Sequence, residues 1–273
     1  MNLSFSSLYF RFFSVFLITL VFSACDKIEY SPYEIRLKDE ERNLNGKYVD
    51  QIANFPIGPS DTLTFALISD TQGFYEETTD VVKTINNMPE IDFVLHGGDL
   101  TDFGLLKEYT QMHDRLVKLK VPYVTVIGNH DCVANGKKVF TEMYGPYNHS
   151  FIKNGFKFIF LNTNSLEFDF NNVPDLDWLE NELADTANYE KALVLTHVPP
   201  FSGEFDESKE EGYKALMKKY NVTLSMHGHD HTYALRQYYG DGMNYLSVST
   251  PEKRSFVVVK VKGDYWDVQE VKF

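Results

Sequence analysis

From Leu63 onward, short apolar runs typical of buried strands alternate with segments whose apolar residues recur every three or four positions. The segment 104–119 shows this helical spacing, whereas 62–70 is a short run rich in residues that favour strands. The order strand, helix, strand, helix, strand predicts βαβ units and a parallel sheet. The expected strands are residues 62–70, 92–99 and 123–131, and the expected helices are 76–88 and 104–119.

The second half of the chain continues this alternation and ends on strands alone. We expect strands at 156–164, 191–200 and 222–231, with helices at 176–183 and 209–220 between them. Four strand-like runs come after these and are expected to form a meander that completes a second sheet. These runs are residues 233–238, 244–249, 255–262 and 264–271. The pattern as a whole predicts an α/β fold.

The first 24 residues have the composition of an export signal. One basic residue, Arg11, precedes the apolar run 12–22, which is short for a membrane span of about 20 residues. Two small residues then precede Cys25, as in a bacterial lipoprotein signal. We therefore expect a lipoprotein signal over 1–24, a lipid anchor on Cys25 that attaches the chain to a membrane, and export to the cell envelope, facing the periplasm or the cell surface. A plain cleaved signal and an uncleaved anchor are the alternatives.

Residues 25–60 are more polar than the chain beyond residue 60 and contain the charged run 38–42 and the proline-bearing stretch 55–59. We interpret this segment as a tether that packs partly on the domain. Residues 61–273 are assigned to a single globular domain. With 43% hydrophobic residues in a chain of 273, a sizeable core is easily built.

The chain is acidic, with 26 basic and 39 acidic residues and a formal net charge of −13. Because a nucleic-acid groove needs a basic stripe, we expect no nucleic-acid partner. The same charge opposes anionic substrates at long range, so an anion site needs local positive charge, which bound metal supplies. Cys25 and Cys132 are the two cysteines, and lipid on Cys25 leaves no intramolecular disulfide.

Polar residues of one kind follow five of the expected strands. Ligands of open α/β sheets bind beyond the carboxyl ends of the strands, so these residues are expected to converge at one edge. Glycines among them let the backbone turn sharply and approach whatever is bound. The five groups are Asp70-Thr71-Gln72, Gly98-Asp99, Gly128-Asn129-His130-Asp131, Thr196-His197 and Gly228-His229-Asp230-His231.

The donor groups of this set are carboxylates, amides and imidazoles, without a thiolate. Such oxygen and nitrogen donors suit borderline divalent ions such as Mn, Fe, Co, Ni or Zn, and among these we expect Mn, Fe or Zn. The set is large enough for two ions about 4 Å apart that share one bridging carboxylate. Because metal lowers the pKa of bound water toward about 7, a metal-bridged hydroxide is the expected nucleophile.

The five groups, in this order and over roughly residues 63–236, resemble the signature of the calcineurin-like metallophosphoesterases. The resemblance implies a four-layer α/β/β/α sandwich of two mixed sheets flanked by helices, with a dinuclear site at its edge. It also implies hydrolysis of small-molecule phosphate esters, either monoesters or diesters. By position, Asp70, Asp99 and His231 resemble the ligands of the first metal, Asn129, His197 and His229 resemble those of the second, and Asp99 bridges the two.

His130 resembles the family residue that binds phosphate and protonates the leaving oxygen. We expect the carboxylate of Asp102 to orient it, with Asp131 as the alternative. One position departs from the family pattern, which usually has histidine where Gln72 stands. An amide oxygen is a weaker donor than imidazole toward a borderline metal, so Gln72 is expected to ligate, to hold a metal-bound water or to stand aside.

Two other functions compete with the phosphoesterase hypothesis. The departure at Gln72 motivates a non-catalytic lipoprotein that binds metal or a phosphorylated ligand. The alternating histidines of residues 227–231 suggest a zinc hydrolase of the metallo-β-lactamase type. That family's histidine cluster opens a helix early in the chain, whereas here it comes near the end, after the aspartate and asparagine groups. The phosphoesterase hypothesis is therefore the leading one.

Overall fold

The computed structural model describes residues 31–54 and 62–273, and the predicted strands and helices occur there in the predicted order. Three further elements were not predicted, the helices Leu44–Asn54 and Gly136–Met143 and the strand His149–Lys153. The strands are β1 Leu63–Ile68, β2 Phe93–His96, β3 Tyr123–Thr125, β4 His149–Lys153, β5 Phe156–Phe160, β6 Lys191–Thr196, β7 Leu224–His227, β8 Ala234–Arg236, β9 Tyr245–Ser247, β10 Ser255–Lys262 and β11 Tyr265–Lys272. The helices are α1 Leu44–Asn54, α2 Tyr75–Ile85, α3 Leu106–Leu116, α4 Gly136–Met143, α5 Leu176–Ala184 and α6 Glu207–Lys219. Short 3-10 turns occur at Asp39–Glu41, His130–Cys132, Leu166–Phe168 and Pro251–Lys253.

The strands form two mixed sheets. In the first, with the order β11-β10-β1-β2-β3, strands β1 to β3 are parallel and β10 and β11 are antiparallel to their neighbours. In the second, with the order β4-β5-β6-β7-β9-β8, the four central strands are parallel and both edge strands are antiparallel.

The C-terminal strands do not all complete the second sheet, so that prediction is wrong for β10 and β11. These two strands join the first sheet, where β10 pairs with β1. The first five residues of β10, from Ser255 to Val259, are all buried. A strand that is apolar at consecutive positions suits a place covered on both faces, such as the one beside β1.

Apolar layers lie between the two sheets and on both of their outer faces. In β1, Phe65 and Leu67 pack between the sheets, whereas Ala66 faces the helices outside. In β6, Leu193 packs between the sheets and Val194 faces the helices on the other side. Because successive side chains of a strand point to opposite faces, each sheet is covered on both faces, by the other sheet on one and by helices on the other. The predicted four-layer α/β/β/α sandwich is confirmed.

Helix α1 lies in the segment predicted as a tether. Its residues Leu44 and Ile52 are buried, and the side chain of Asn45 bonds with the main chain of Thr125 in β3, the edge strand of the first sheet. Asn45 Nδ2 donates to Thr125 O at 2.9 Å, and Thr125 N donates to Asn45 Oδ1 at 3.0 Å. The sequence analysis allowed for partial packing of this segment but did not predict the helix, because its apolar stripe is narrow and lies in a polar stretch.

The compact unit that carries both sheets runs over Ile35–Phe273, so it begins earlier than the predicted boundary at residue 61. The predicted signal over 1–24 and the anchor on Cys25 lie outside the described residues. Within 31–54 and 62–273, no helix combines the length and the apolar character needed to cross a bilayer.

Candidate metal centre

The seven residues predicted as metal ligands lie in the loops after β1, β2, β3, β6 and β7, and their donor atoms meet in one cluster. Three residues, Asp70, Asp99 and His197, each offer one donor atom, and these three atoms lie within 4.8 Å of one another. The remaining contacts are His231 Nε2 to Asp70 Oδ1 at 3.3 Å, His197 Nε2 to Asn129 Oδ1 at 2.8 Å, His229 Nδ1 to Asn129 Oδ1 at 3.3 Å and Gln72 Nε2 to Asp99 Oδ2 at 3.4 Å.

Four of these residues hold a left-handed backbone conformation that non-glycine residues rarely adopt. Their φ angles are 55° for Asp70, 58° for Asp99, 71° for His229 and 53° for His231. Each such conformation costs roughly 1–3 kcal/mol and persists where the surrounding structure enforces it. All four residues lie where the donor side chains converge, so the backbone of the cluster is strained at four positions, as is common at functional sites.

The loops after β2 and β3 are held together by the buried carboxylate of Asp131. It accepts hydrogen bonds from the main-chain amides of Asp99, Leu100, Thr101 and Gly128 at 2.9 to 3.0 Å, and from the Thr101 hydroxyl at 3.0 Å. Burial and the charge of Asp99 raise the pKa of Asp131 to about 7, even though the hydrogen bonds from Gly128 and Thr101 lower it. A Cβ on Gly128 would lie 2.1 Å from Asp99 Oδ1, so glycine is needed where the loops meet.

His197 is fully buried and its ring orientation is fixed by the main chain. Its Nδ1 lies 2.7 Å from the carbonyl oxygen of Gly97, to which it donates. Its Nε2 then faces Asp99 Oδ2 at 3.2 Å and Asn129 Oδ1 at 2.8 Å. Metal-binding histidines commonly have this arrangement, in which one ring nitrogen donates to a carbonyl and the other faces the metal site.

The cluster carries negative charge that requires compensation. Burial opposes the protonated form of His197, but the carboxylates of Asp99 and Asp70 raise its pKa to about 10. The hydrogen bond to Asp70 raises the pKa of His231, while burial and the charge of His197 lower the pKa of His229. Burial alone would raise the pKa of Asp70, yet His231 and His197 hold it below its ordinary value. Two buried carboxylates thus draw positive charge, which a divalent cation supplies.

Gln72 fits this donor set. The residue is 6% exposed, and its Oε1 is buried without a hydrogen-bond partner among the described residues. An unsatisfied buried acceptor costs about 1–3 kcal/mol, and a cation beside it would remove that cost. With carboxylate, amide and imidazole donors around one point, the residues present suit borderline divalent metals.

His130 lies exposed at the rim of the cluster. Its main-chain amide donates to Asp99 Oδ1 at 2.9 Å, and its Nδ1 lies 3.2 Å from the main-chain oxygen of Asp102. The carboxylate of Asp102 instead points toward Gly73, where an added Cβ would lie 3.3 Å from Oδ2. Asp102 therefore contacts His130 through its carbonyl and not through the predicted carboxylate, because the loop bends around Asp131 and brings its main chain next to the imidazole. Asp131, the predicted alternative, is engaged in holding the loops.

Two residues near the centre were not predicted as site residues. Glu204 Oε2 lies 3.7 Å from His229 Nε2, and Glu167 lines a pocket of about 220 Å³ that opens beside His130. Both follow parallel strands at the same edge, which is the signal that would have indicated them. A larger pocket of about 470 Å³, lined by Tyr48 and residues before β3, lies at the opposite edge and contains none of the donors.

The comparisons with known proteins agree with this geometry. The family model described as calcineurin-like phosphoesterase matches residues 63–233. A 3',5'-cyclic-nucleotide phosphodiesterase of Nostoc sp. is 28% identical over 199 residues, 69% of this chain and 73% of that protein. A protein of Arcobacter nitrofigilis named "Probable glycerophosphodiester phosphodiesterase" is 32% identical over 124 residues, 42% of this chain and 45% of that protein. A purple acid phosphatase of yellow lupin seeds shares the fold, with a TM-score of 0.65 and 16% identity over 81% of this chain and 53% of that chain.

Proposed function

Because the chain belongs to the calcineurin-like phosphoesterase family, we propose that this metal-dependent hydrolase of phosphate esters acts on small-molecule phosphodiesters. The observation that carries the proposal is the convergence of seven oxygen and nitrogen donors, from the loops of both sheets, on one cluster whose centre of Asp70, Asp99 and His197 is buried. The relatives from Nostoc sp. and Arcobacter nitrofigilis are both named for phosphodiester cleavage, which favours diesters over monoesters. The pocket beside His130 offers space for the organic group of such an ester.

We propose that two divalent cations, Mn, Fe or Zn, are held by the residues of this cluster. Asp70, Gln72 and His231 would hold the first ion, Asn129, His197 and His229 the second, and Asp99 both. When bound, such ions supply Lewis-acid activation of water and neutralise charge on the phosphoryl group.

We propose that His130 acts on the substrate from the rim. With Nδ1 donating to the Asp102 carbonyl at 3.2 Å, the ring keeps Nε2 on its outer side. In the protonated ring, Nε2–H binds a phosphoryl oxygen and delivers its proton to the leaving oxygen. Asp131 keeps the loops of Asp99 and Asn129 in register, so the donors are positioned before the substrate arrives.

The proposal is tested by turnover of bis(p-nitrophenyl) phosphate and p-nitrophenyl phosphate with purified protein and Mn²⁺. We expect the diester to have the higher kcat/KM. Asp99→Ala removes the shared ligand and should abolish turnover, and His130→Ala should lower kcat by about 10²–10⁴. Asp50→Ala, on the exposed side of α1, is the control and should retain the wild-type rate. Wild-type rates in Asp99→Ala would refute the proposed centre.

We also propose that the protein is exported and anchored to a membrane of the cell envelope by lipid on Cys25. The apolar run 12–22 and the small residues before Cys25 support this proposal. Cells grown with labelled palmitate should yield a labelled protein in the membrane fraction, and Cys25→Ser should lose both label and membrane association. Cys132→Ser is the matched control, and label that persists in Cys25→Ser would contradict the anchor.

A further inference from the structure

The pocket beside His130 contains side chains that the metal centre does not use. Its volume is about 220 Å³, which suits a group of sugar size better than a large ligand. Cys132 and Val133 give it apolar walls, and Val133 is 43% exposed. Lys137 and Glu167 are its charged residues. A carbon skeleton that carries polar groups matches this lining.

Glu167 is the polar residue of this pocket whose side chain has unused capacity. It lies in the 3-10 turn Leu166–Phe168, and its Oε2 is buried with no hydrogen-bond partner in the described part of the chain. Burial raises the pKa of Glu167. A hydrogen bond from its own main-chain amide and the charge of His197 lower this pKa, whereas the charges of Glu204 and Asp99 raise it. The carboxylate is therefore within electrostatic reach of the metal centre and has a vacant acceptor.

Lys137 fixes the turn that carries Glu167. Its Nζ donates to the main-chain oxygen of Glu167, and it lies 4.3 Å from the ring centroid of Phe168. Lys137 thus engages the main chain, so the carboxylate oxygen of Glu167 stays available. With an ammonium group lining the same pocket, a neutral donor fits better there than a second cation.

We propose that Glu167 determines specificity by accepting a hydrogen bond from a hydroxyl group on the alcohol part of the phosphodiester, an inference that rests on the proposed function. The pocket adjoins Asn129 and His130, so a group bound there is attached to the phosphate through a short link. The enzyme then selects esters of polyols over esters of simple alcohols. Ribose in nucleotides and glycerol in glycerophosphodiesters both offer such a hydroxyl.

Matched substrate pairs that differ by one hydroxyl test this role. The first pair is 3',5'-cyclic AMP and its 2'-deoxy analogue, and the second is glycerophosphoethanolamine and 3-hydroxypropyl phosphoethanolamine, which lacks only the 2-hydroxyl. A hydrogen bond to a charged, buried acceptor predicts a kcat/KM ratio of about ten to a hundred in favour of the hydroxyl substrate. The pair with the larger ratio indicates whether the hydroxyl that Glu167 binds belongs to ribose or to glycerol.

The variants then assign the ratio to Glu167. Glu167→Leu should bring it below about threefold, and Glu167→Gln should restore part of it because the amide oxygen still accepts. Glu90→Leu is the matched control, because Glu90 is exposed just before β2 at the opposite edge. If circular dichroism shows that Glu167→Leu does not fold, the same kcat/KM ratio is measured with Glu167→Ala.

The outcomes separate this inference from the proposed function. Hydrolysis of bis(p-nitrophenyl) phosphate without preference in either pair would overturn the role of Glu167 and leave the phosphodiesterase intact. A preference that survives unchanged in Glu167→Leu and Glu167→Ala would also overturn it. A wild-type protein that cleaves none of these esters with Mn²⁺ would reject the proposed function and the inference together.

Discussion

At the scale of single residues, Gln72 is where the chain departs from the usual family pattern. Its buried Oε1 has no partner in the described structure, and its Nε2 lies 3.4 Å from Asp99 Oδ2. Gln72→Leu removes this oxygen at similar size and should weaken Mn²⁺ binding by at least about tenfold. Gln72→His should shift the preference toward Zn²⁺, because imidazole is the better donor to that ion. Titration calorimetry with each metal measures both effects.

The control for Gln72 is another glutamine whose amide has no part in the cluster. Gln51 is exposed on α1, so Gln51→Leu should bind metal as the wild type does. Equal Mn²⁺ affinity in Gln72→Leu and the wild type would place Gln72 outside the coordination shell.

The sequence predicted which residues converge, but not the atoms through which each one makes its contacts. The convergence could be predicted because each of these residues follows a strand whose end the apolar pattern marks. The contact between Asp102 and His130 could not be predicted correctly. An aspartate suggests a contact through its carboxylate, whereas the fold brings its main-chain oxygen next to the His130 ring. Glu167 was missed because a single acid in a loop is usually solvated, and its buried oxygen depends on the packing around it.

At the scale of elements, α1 protects an edge of the first sheet. Asn45 pairs both of its amide groups with the main chain of Thr125 in β3, at 2.9 and 3.0 Å. Asn45→Leu keeps the size but leaves two buried main-chain groups unpaired, which should cost about 2–4 kcal/mol of unfolding free energy. Urea denaturation measures this loss.

Asn54→Leu is the matched change on the same helix. Asn54 is exposed and bonds its own helix, so its replacement should alter stability by less than about 0.5 kcal/mol. If the two variants were equally stable, α1 would not protect β3.

Elements were predictable where a long apolar run or a wide apolar face marks them. Strands β1 and β6 are of this kind, because nearly all their residues are buried. Helix α1 was missed because few of its residues are buried. The sheet that β10 joins depends on which partner covers both its faces, and a strand's own composition does not name that partner.

At the scale of the whole molecule, the donor cluster lies where the two sheets meet. The first sheet contributes Asp70, Asp99 and Asn129 from the loops after its parallel strands, and the second contributes His197 and His229. A cation bound to both groups ties the two halves of the sandwich together. The unfolded chain scatters these donors over more than half the sequence, so binding is coupled to folding.

Removing the metal should therefore lower the stability of the entire fold. At a free Mn²⁺ concentration of 100 Kd, binding contributes about 2.7 kcal/mol. For a chain of this size that corresponds to a rise in Tm of roughly 5–10 °C. Thermal denaturation with a chelator, and again after Mn²⁺ is restored, should show this difference in the wild type. Asp99→Ala should show almost none, because the carboxylate that joins the two sets of donors is gone. Equal Tm values with and without Mn²⁺ in the wild type would mean that the two sheets do not share a cation.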